Sequence, residues 1–274
     1  MPSSAASPGC VAGMESEIVY FMYHELEIPG RPLCRPEAGY VRYVLSAADF
    51  RTQMQSLKDA SWQGLSVSQA LRFPAKPGVT LTFDDGCESD LLVAAPILVE
   101  FGFGATFYVT AGWTGTRGFM TSGQLRTLAG LGFEVGCHSK THPYLPELDD
   151  SKLYEEIAGG KIQLEQVLGR PVEHFSCPGG RYDQRVQDVA REAGYRTLAT
   201  SQAHANSESS DFFALGRVAV MRDTRLKTFR TWCRGHGLWQ LALRDGLRGG
   251  AKRILGNSFY DRVRASVLHD NAGH

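Results

Sequence analysis

Short apolar runs alternate along the chain with longer stretches in which apolar residues return every three or four positions. Ile18-Val19-Tyr20-Phe21-Met22-Tyr23 reads as a first strand, ending at His24-Glu25. A loop with three prolines follows. Ser46 then caps a helix whose apolar face includes Phe50, Met54 and Leu57. Val79-Thr80-Leu81-Thr82-Phe83 is a short buried strand that runs into Asp84-Asp85-Gly86, with the glycine as the turn. Residues 91–101 carry Leu92, Ala95, Ile97 and Leu98 at helical spacing, and Gly102 stops the helix. Pro96 inside that pattern predicts a kink or a later start. Residues 105–109 and 133–137 read as strands. Between them lies a helix opened by the capping box Thr121–Gln124 and running to Leu131. Residues 151–168 form a long amphipathic helix interrupted by Gly159-Gly160. A strand over 172–177, a helix over 186–193 and strands over 195–199 and 217–220 complete the series.

Strands alternating with helices imply parallel pairing and right-handed crossovers. A chain of 274 residues suits one α/β barrel. In such barrels chemistry sits at the C-terminal ends of the strands. His24, Asp84, Asp85, His138 and Gly179 all fall there. After Val220 the pattern turns basic and helical, with Trp232, Trp239, Leu243, Leu247, Ile254, Phe259 and Val263 as candidates for an apolar face. These positions predict a helical extension packed on the barrel, with peripheral contact to a membrane surface as the alternative. Residues 1–15 are rich in Ser, Ala, Pro and Gly and read as a disordered tail. The expected division is a tail over 1–15, a barrel over 16–222 and a helical extension over 223–274.

Charge changes this picture little. The 29 basic and 29 acidic residues balance, so a polyanionic partner such as nucleic acid is not expected. No apolar run approaches the roughly 20 residues of a membrane helix. Residues 1–15 have neither the basic nor the apolar region of a secretory signal. The six cysteines show no paired spacing, and the expected location is cytoplasmic. Cys87, Cys137 and Cys177 lie beside candidate site motifs and read as small buried residues rather than thiolate ligands.

Adjacent carboxylates at a strand end repel, and one takes up a proton unless a cation relieves the pair. Candidate partners lie in His138-Ser139-Lys140-Thr141-His142, where two imidazoles stand four residues apart. One carboxylate and two imidazoles leave open positions on a divalent ion, as a hydrolytic metal requires. The second carboxylate is then free to take a proton. His174, His204 and His236 have no motif around them and read as surface or loop residues.

Thr82-Phe83-Asp84-Asp85-Gly86 and the 138–142 stretch resemble the first two motifs of the polysaccharide deacetylases, the NodB-homology group of carbohydrate esterases. The resemblance covers roughly residues 18–220 and is nearest the exopolysaccharide and poly-N-acetylglucosamine deacetylase type. It implies a distorted (β/α)7-like barrel, here with a C-terminal helical extension. It assigns Asp84 as the base and Asp85, His138 and His142 as metal ligands, with zinc ahead of cobalt, nickel or manganese. Cys177-Pro178-Gly179-Gly180-Arg181-Tyr182 resembles the third motif, which implies that the Gly179 amide holds the oxyanion. The motif's leading arginine falls on Ser176, a departure from the pattern. Arg181 is a candidate partner for Asp84 or a substrate contact, with a salt bridge elsewhere as an equal alternative. For the general acid, Tyr23-His24 resembles a Tyr-His step of that deacetylase type and points to His24; His269 in Val267-Leu268-His269 is the alternative. Glu25 reads as a positioning residue. Trp113 and Tyr182 are candidates for stacking on a sugar ring, Trp113 equally for the core. The implied activity is removal of N-acetyl groups from an N-acetylglucosamine-type glycan. Hydrolysis of O-acetyl esters, cyclic amides or formamides is a second reading. An inactive sugar-binding domain is a third, favoured by the missing arginine and opposed by the intact Asp pair.

Overall fold

The structure is a computed structural model and describes residues 17–74 and 76–243. The 1–15 tail, His269 and the apolar candidates Leu247, Ile254, Phe259 and Val263 lie outside the described residues.

Strand β1 (Tyr20–Tyr23) is buried along its whole length. An unbroken apolar run is what a strand covered on both faces requires. A single helical turn, α1 (Ala38–Val41), precedes α2 (Ala47–Asp59), whose Ser46 Oγ accepts from the Asp49 amide at 3.0 Å. The short β2 (Gln63–Leu65) and α3 (Val67–Ala70) carry too few apolar positions to register in the pattern. Strand β3 (Gly78–Phe83) follows. Helix α4 (Ala95–Phe101) holds Pro96 in its first turn and is preceded by a π-helical turn, so the proline marks a later start. Gly102, at φ 69°, ends it. Strand β4 (Thr106–Val109) leads to α5 (Ser122–Gly130), opened by the Thr121–Gln124 box, and to β5 (Glu134–Cys137). The 151–168 helix is three pieces: α6 (Asp150–Tyr154), a π-helical turn over Glu155–Gly159, and α7 (Gly160–Leu168). Then come β6 (His174–Ser176), α8 (Gln184–Glu192), β7 (Thr197–Ala199), β8 (Val218–Ala219) and α9 (Leu226–Cys233).

Every strand pair is parallel, in the order β7-β6-β5-β4-β3-β1-β8. Strand β2 lies on the start of β3, through Gly78–Thr80, and β4 on its end. The sheet curls into a half-barrel with helices outside. One segment joins its edges: the Leu198 amide donates to Phe212 O at 2.8 Å and the Thr200 amide to Leu215 O at 2.8 Å. Three residues later the same segment becomes β8 and pairs with β1. Asn206 pins this seam, exchanging backbone hydrogen bonds with Ile18 and side-chain hydrogen bonds with Gly216.

The core includes an aromatic ladder across the sheet. Centroids are 5.2 Å apart for Tyr23–Phe83, 4.7 Å for Phe83–Phe107 and 5.4 Å for Phe107–Phe133. One expectation needs correction. His174 is not a surface residue: it is buried on β6 and bonded to Ser68 Oγ and Thr197 Oγ1. After Val220, Trp232 is buried, but Trp239 and Leu243 are exposed at 64% and 59%. Among the described residues no helix is long and apolar enough to cross a membrane.

Candidate active site

The end of β3 separates its two carboxylates by backbone geometry. The Asp84 amide still donates to Tyr23 O, at 2.9 Å, whereas Asp85 adopts φ 82° and Gly86 φ 85°. A Cβ on Gly86 would lie 2.9 Å from Val109 Cγ1. The turn therefore needs glycine both for its φ and for its closeness to β4. Asp84 faces Arg217, whose Nη1 and Nη2 donate to its two oxygens at 2.7 and 2.8 Å. Arg217 is 1% exposed and spends its other donors on Thr200 O, Thr82 Oγ1 and Ser176 Oγ. Burial acts to raise the Asp84 carboxyl; Arg217 and His138 overcome it and hold the group well below the usual carboxylate range. Asp84 is thus a buried anion at neutral pH. Ser176 stands where the motif arginine was expected, and its hydroxyl reaches Asp84 at 3.3 Å. The guanidinium itself arrives from elsewhere in the chain. Arg181 does not fill this role: its Nη1 is 3.8 Å from Glu147, and its guanidinium lies over the Tyr144 ring.

Asp85 turns the other way. Its Oδ1 is buried without a hydrogen-bond partner, 3.6 Å from His138 Nε2 and 3.5 Å from His142 Nε2. One ligand atom from each of the three residues lies within 4.8 Å of the others. His138 Nδ1 donates to Ser176 O at 2.8 Å, which leaves the Nε2 lone pair facing Asp85. His142 is pushed down to about 4, by burial first and then by His138, so its imidazole is neutral at pH 7. One carboxylate with two imidazoles is a donor set for a divalent ion of the zinc class. The orphaned Asp85 oxygen is the atom such an ion would satisfy.

The loop carrying the histidines is held from behind by a residue that the sequence reading passed over. Buried Glu156, in the π-helical turn, accepts from the Lys140 amide at 3.0 Å, the Thr141 amide at 2.7 Å and the Thr141 hydroxyl. Ser139 Oγ accepts from the His142 amide at 2.9 Å. A Cβ on Gly160 would stand 3.0 Å from Cys137 Sγ and from the Ser139 carbonyl carbon, so glycine lets the helix reach the loop. The interruption at Gly159-Gly160 was the available signal. Ser139 and His142 also take positive φ, 63° and 67°, the kind of backbone strain that concentrates at functional sites.

Residues 73–198 match the family model described as polysaccharide deacetylase. This stretch of the chain is therefore similar to the polysaccharide deacetylases. YxkH, a Bacillus subtilis protein named for the same family, is 27% identical over 178 residues, which are 63% of this chain and 64% of that protein. The peptidoglycan-N-acetylglucosamine deacetylase of Bacillus cereus is 29% identical over 45% of this chain and 56% of its own length. The chain thus spans less than two thirds of the length of these curated relatives. The Streptococcus pyogenes deacetylase PplD shares the fold, with a TM-score of 0.71 at 24% identity over 80% of this chain and 98% of that one.

The family match contains Asp84, Asp85, His138, His142 and Ser176 but neither His24 nor Arg217. His24 is half-buried at the end of β1, its ring 4.8 Å from Tyr43 and edge-on to Tyr40. Its Nδ1 is buried without a hydrogen-bond partner. Burial lowers its pKa, and nearby Asp85 and Asp84 act in the opposite sense. Trp113 stacks on His142 at 5.1 Å and packs on Phe119 at 4.8 Å. It therefore walls the histidine and is half-buried there. Gly179 follows β6 at φ 61°, with Tyr144 3.5 Å from where a Cβ would stand. Tyr182 beside it is half-buried and packs against the main core.

Proposed function

We propose that this protein is a metal-dependent hydrolase that removes the N-acetyl group from an N-acetylglucosamine-type unit of a glycan or glycan precursor. The observation that carries this reading is the orphaned Asp85 oxygen facing two imidazole nitrogens, with the ionised Asp84 beside them. Asp85, His138 and His142 would hold the ion, with zinc ahead of cobalt, nickel or manganese. When bound it would supply a Lewis acid and lower the pKa of water. Asp84 takes the proton from the attacking water, and the Arg217 fork holds the carboxylate in place and ionised for that task. The Gly179 amide donates to the developing oxyanion. His24 first takes up a proton from solvent, which the nearby Asp85 and Asp84 favour against its burial, and then passes it to the leaving amine. Arg181 and Tyr182, next to Gly179, are the assigned sugar contacts. The substrate class follows the name of the Bacillus cereus relative.

The test is acetate release from N-acetylglucosamine oligomers, with acetylated xylan as the competing substrate. Asp84→Asn should lower turnover by about 10²–10⁴-fold while the protein keeps its metal. Full activity in that variant overturns the mechanism, and faster release from xylan overturns the substrate.

A further inference from the structure

Among the described residues, a second group of metal-ligating side chains converges next to the first. The Glu25 carboxylate, Cys34 Sγ and Cys87 Sγ offer three ligand atoms within 4.8 Å of one another. Cys34 lies on the loop between His24 and α1, and Cys87 follows Gly86 in the turn after β3. Both oxygens of Glu25 accept from the Cys34 amide at 3.0 Å, which fixes the carboxylate against the first thiol. Gly118, at φ 88°, leaves room for the sulfur: a Cβ there would stand 3.0 Å from Cys34 Sγ. Tyr40 Oη is 3.3 Å from Cys87 Sγ.

Asp90, three residues past Cys87, supplies an independent observation. It is 0% exposed, and neither carboxylate oxygen has a hydrogen-bond partner. Its amide donates to Cys87 O at 3.0 Å, which ties it to the turn that carries the second thiol. Buried carboxyl groups without a hydrogen-bond partner are rare and call for an explanation.

We propose that Glu25, Cys34 and Cys87 form a second metal site, which takes a thiophilic divalent ion of the zinc class. Two sulfurs and one carboxylate select zinc-like ions over magnesium or calcium. Tetrahedral thiolates about 2.3 Å from such an ion stand roughly 3.8 Å apart, within the observed envelope. On binding, each thiol gives its proton to solvent and each sulfur donates a lone pair to the ion. Cys34 exchanges its contact to Gly118 O for that bond. Cys34 is only half-buried, whereas Glu25 and Cys87 are buried, so the ion has a way in past Cys34. The site clamps the His24–Cys34 loop to the turn that carries Asp84 and Asp85. A disulfide between the same cysteines would leave buried Glu25 without a counter-charge.

The full chain, kept in a non-chelating reductant, is loaded with Zn²⁺ and desalted, and its metal content is measured. Two equivalents are expected for the wild type, one for Cys34→Ser and one for the double variant His138→Ala/His142→Ala. With Co²⁺, the wild type and the histidine variant should show a thiolate-to-cobalt charge-transfer band that Cys34→Ser lacks. A wild type without that band, or a band that survives in Cys34→Ser, overturns the proposal. So does thiol titration that finds Cys34 and Cys87 joined as a disulfide under these conditions. Cys34→Ser alters an open loop position, so the test does not depend on whether Cys87→Ser folds. The histidine variants separate failure here from failure at Asp85.

Discussion

Taking a carboxylate and a guanidinium out of water costs several kcal/mol per ion, and only a well-bonded pair recovers it. Asp84 and Arg217 meet that condition through contacts of 2.7 and 2.8 Å. Removing one partner is then worse than removing both. Arg217→Met should destabilise by about 3–5 kcal/mol, and Asp84→Asn/Arg217→Met should recover a good part of that in urea titrations. A single variant within about 1 kcal/mol of wild type would count against the pairing. His142 gives a pH signature in the metal-free protein. Folded, its imidazole stays neutral down to about 4; unfolded, it takes a proton near 6.5. The stability due to the neutral ring is therefore complete above about pH 6.5 and is lost as pH falls through about 4, on the order of 3 kcal/mol in all. Melting temperatures of His142→Gln should vary less across that window than those of the wild type. At this scale Asp84, Asp85, His138 and His142 were legible because their spacing is local. Arg217 was not, since it lies 133 residues from Asp84 and no local pattern surrounds it. Of the alternatives open for Arg181, the structure shows a salt bridge elsewhere, to Glu147 at 3.8 Å, and not the pairing with Asp84.

Among the elements, the broken helix behind the histidine loop does most to shape the site. Glycine costs a helix about 1 kcal/mol relative to alanine, so Gly160→Ala would stabilise an isolated helix. Here the added carbon would press on Cys137 and Ser139. The expected outcome is a net loss of about 1–3 kcal/mol, with metal affinity reduced about tenfold or more as the loop shifts. Calorimetry on the metal-free and metal-loaded variant measures both. A neutral or stabilised variant would mean that the loop yields. The longer elements could be read because their apolar spacing and caps are local features: Ser46, the Thr121–Gln124 box and Gly102 all act as predicted. The π-helical turn could not be read. Its cause is the contact between Glu156 and residues 15 or 16 positions away. Strand β2, three residues containing Gln and Gly, exists through its pairing with β3.

Across the whole molecule, the parallel strand order follows from the alternation of elements, but the seam does not. It rests on Asn206, 1% exposed and bonded to both Ile18 and Gly216. Asn206→Ala removes two side-chain hydrogen bonds and strands their buried partners, at about 1–3 kcal/mol. Faster amide exchange should appear first at residues 215–218, and in the same variant the pairing of Asp84 with Arg217 should weaken. Uniform exchange across the sheet would show that the seam carries no special weight.

The position of Arg217 also sets an order of events during synthesis. A ribosome makes Asp84 early and its counter-ion 133 residues later, at roughly 5–20 residues per second. For that interval the acid has no cation to be buried with, and it stays in water or takes up a proton. Only when the segment around Val218–Ala219 has emerged can the acid be buried as an anion.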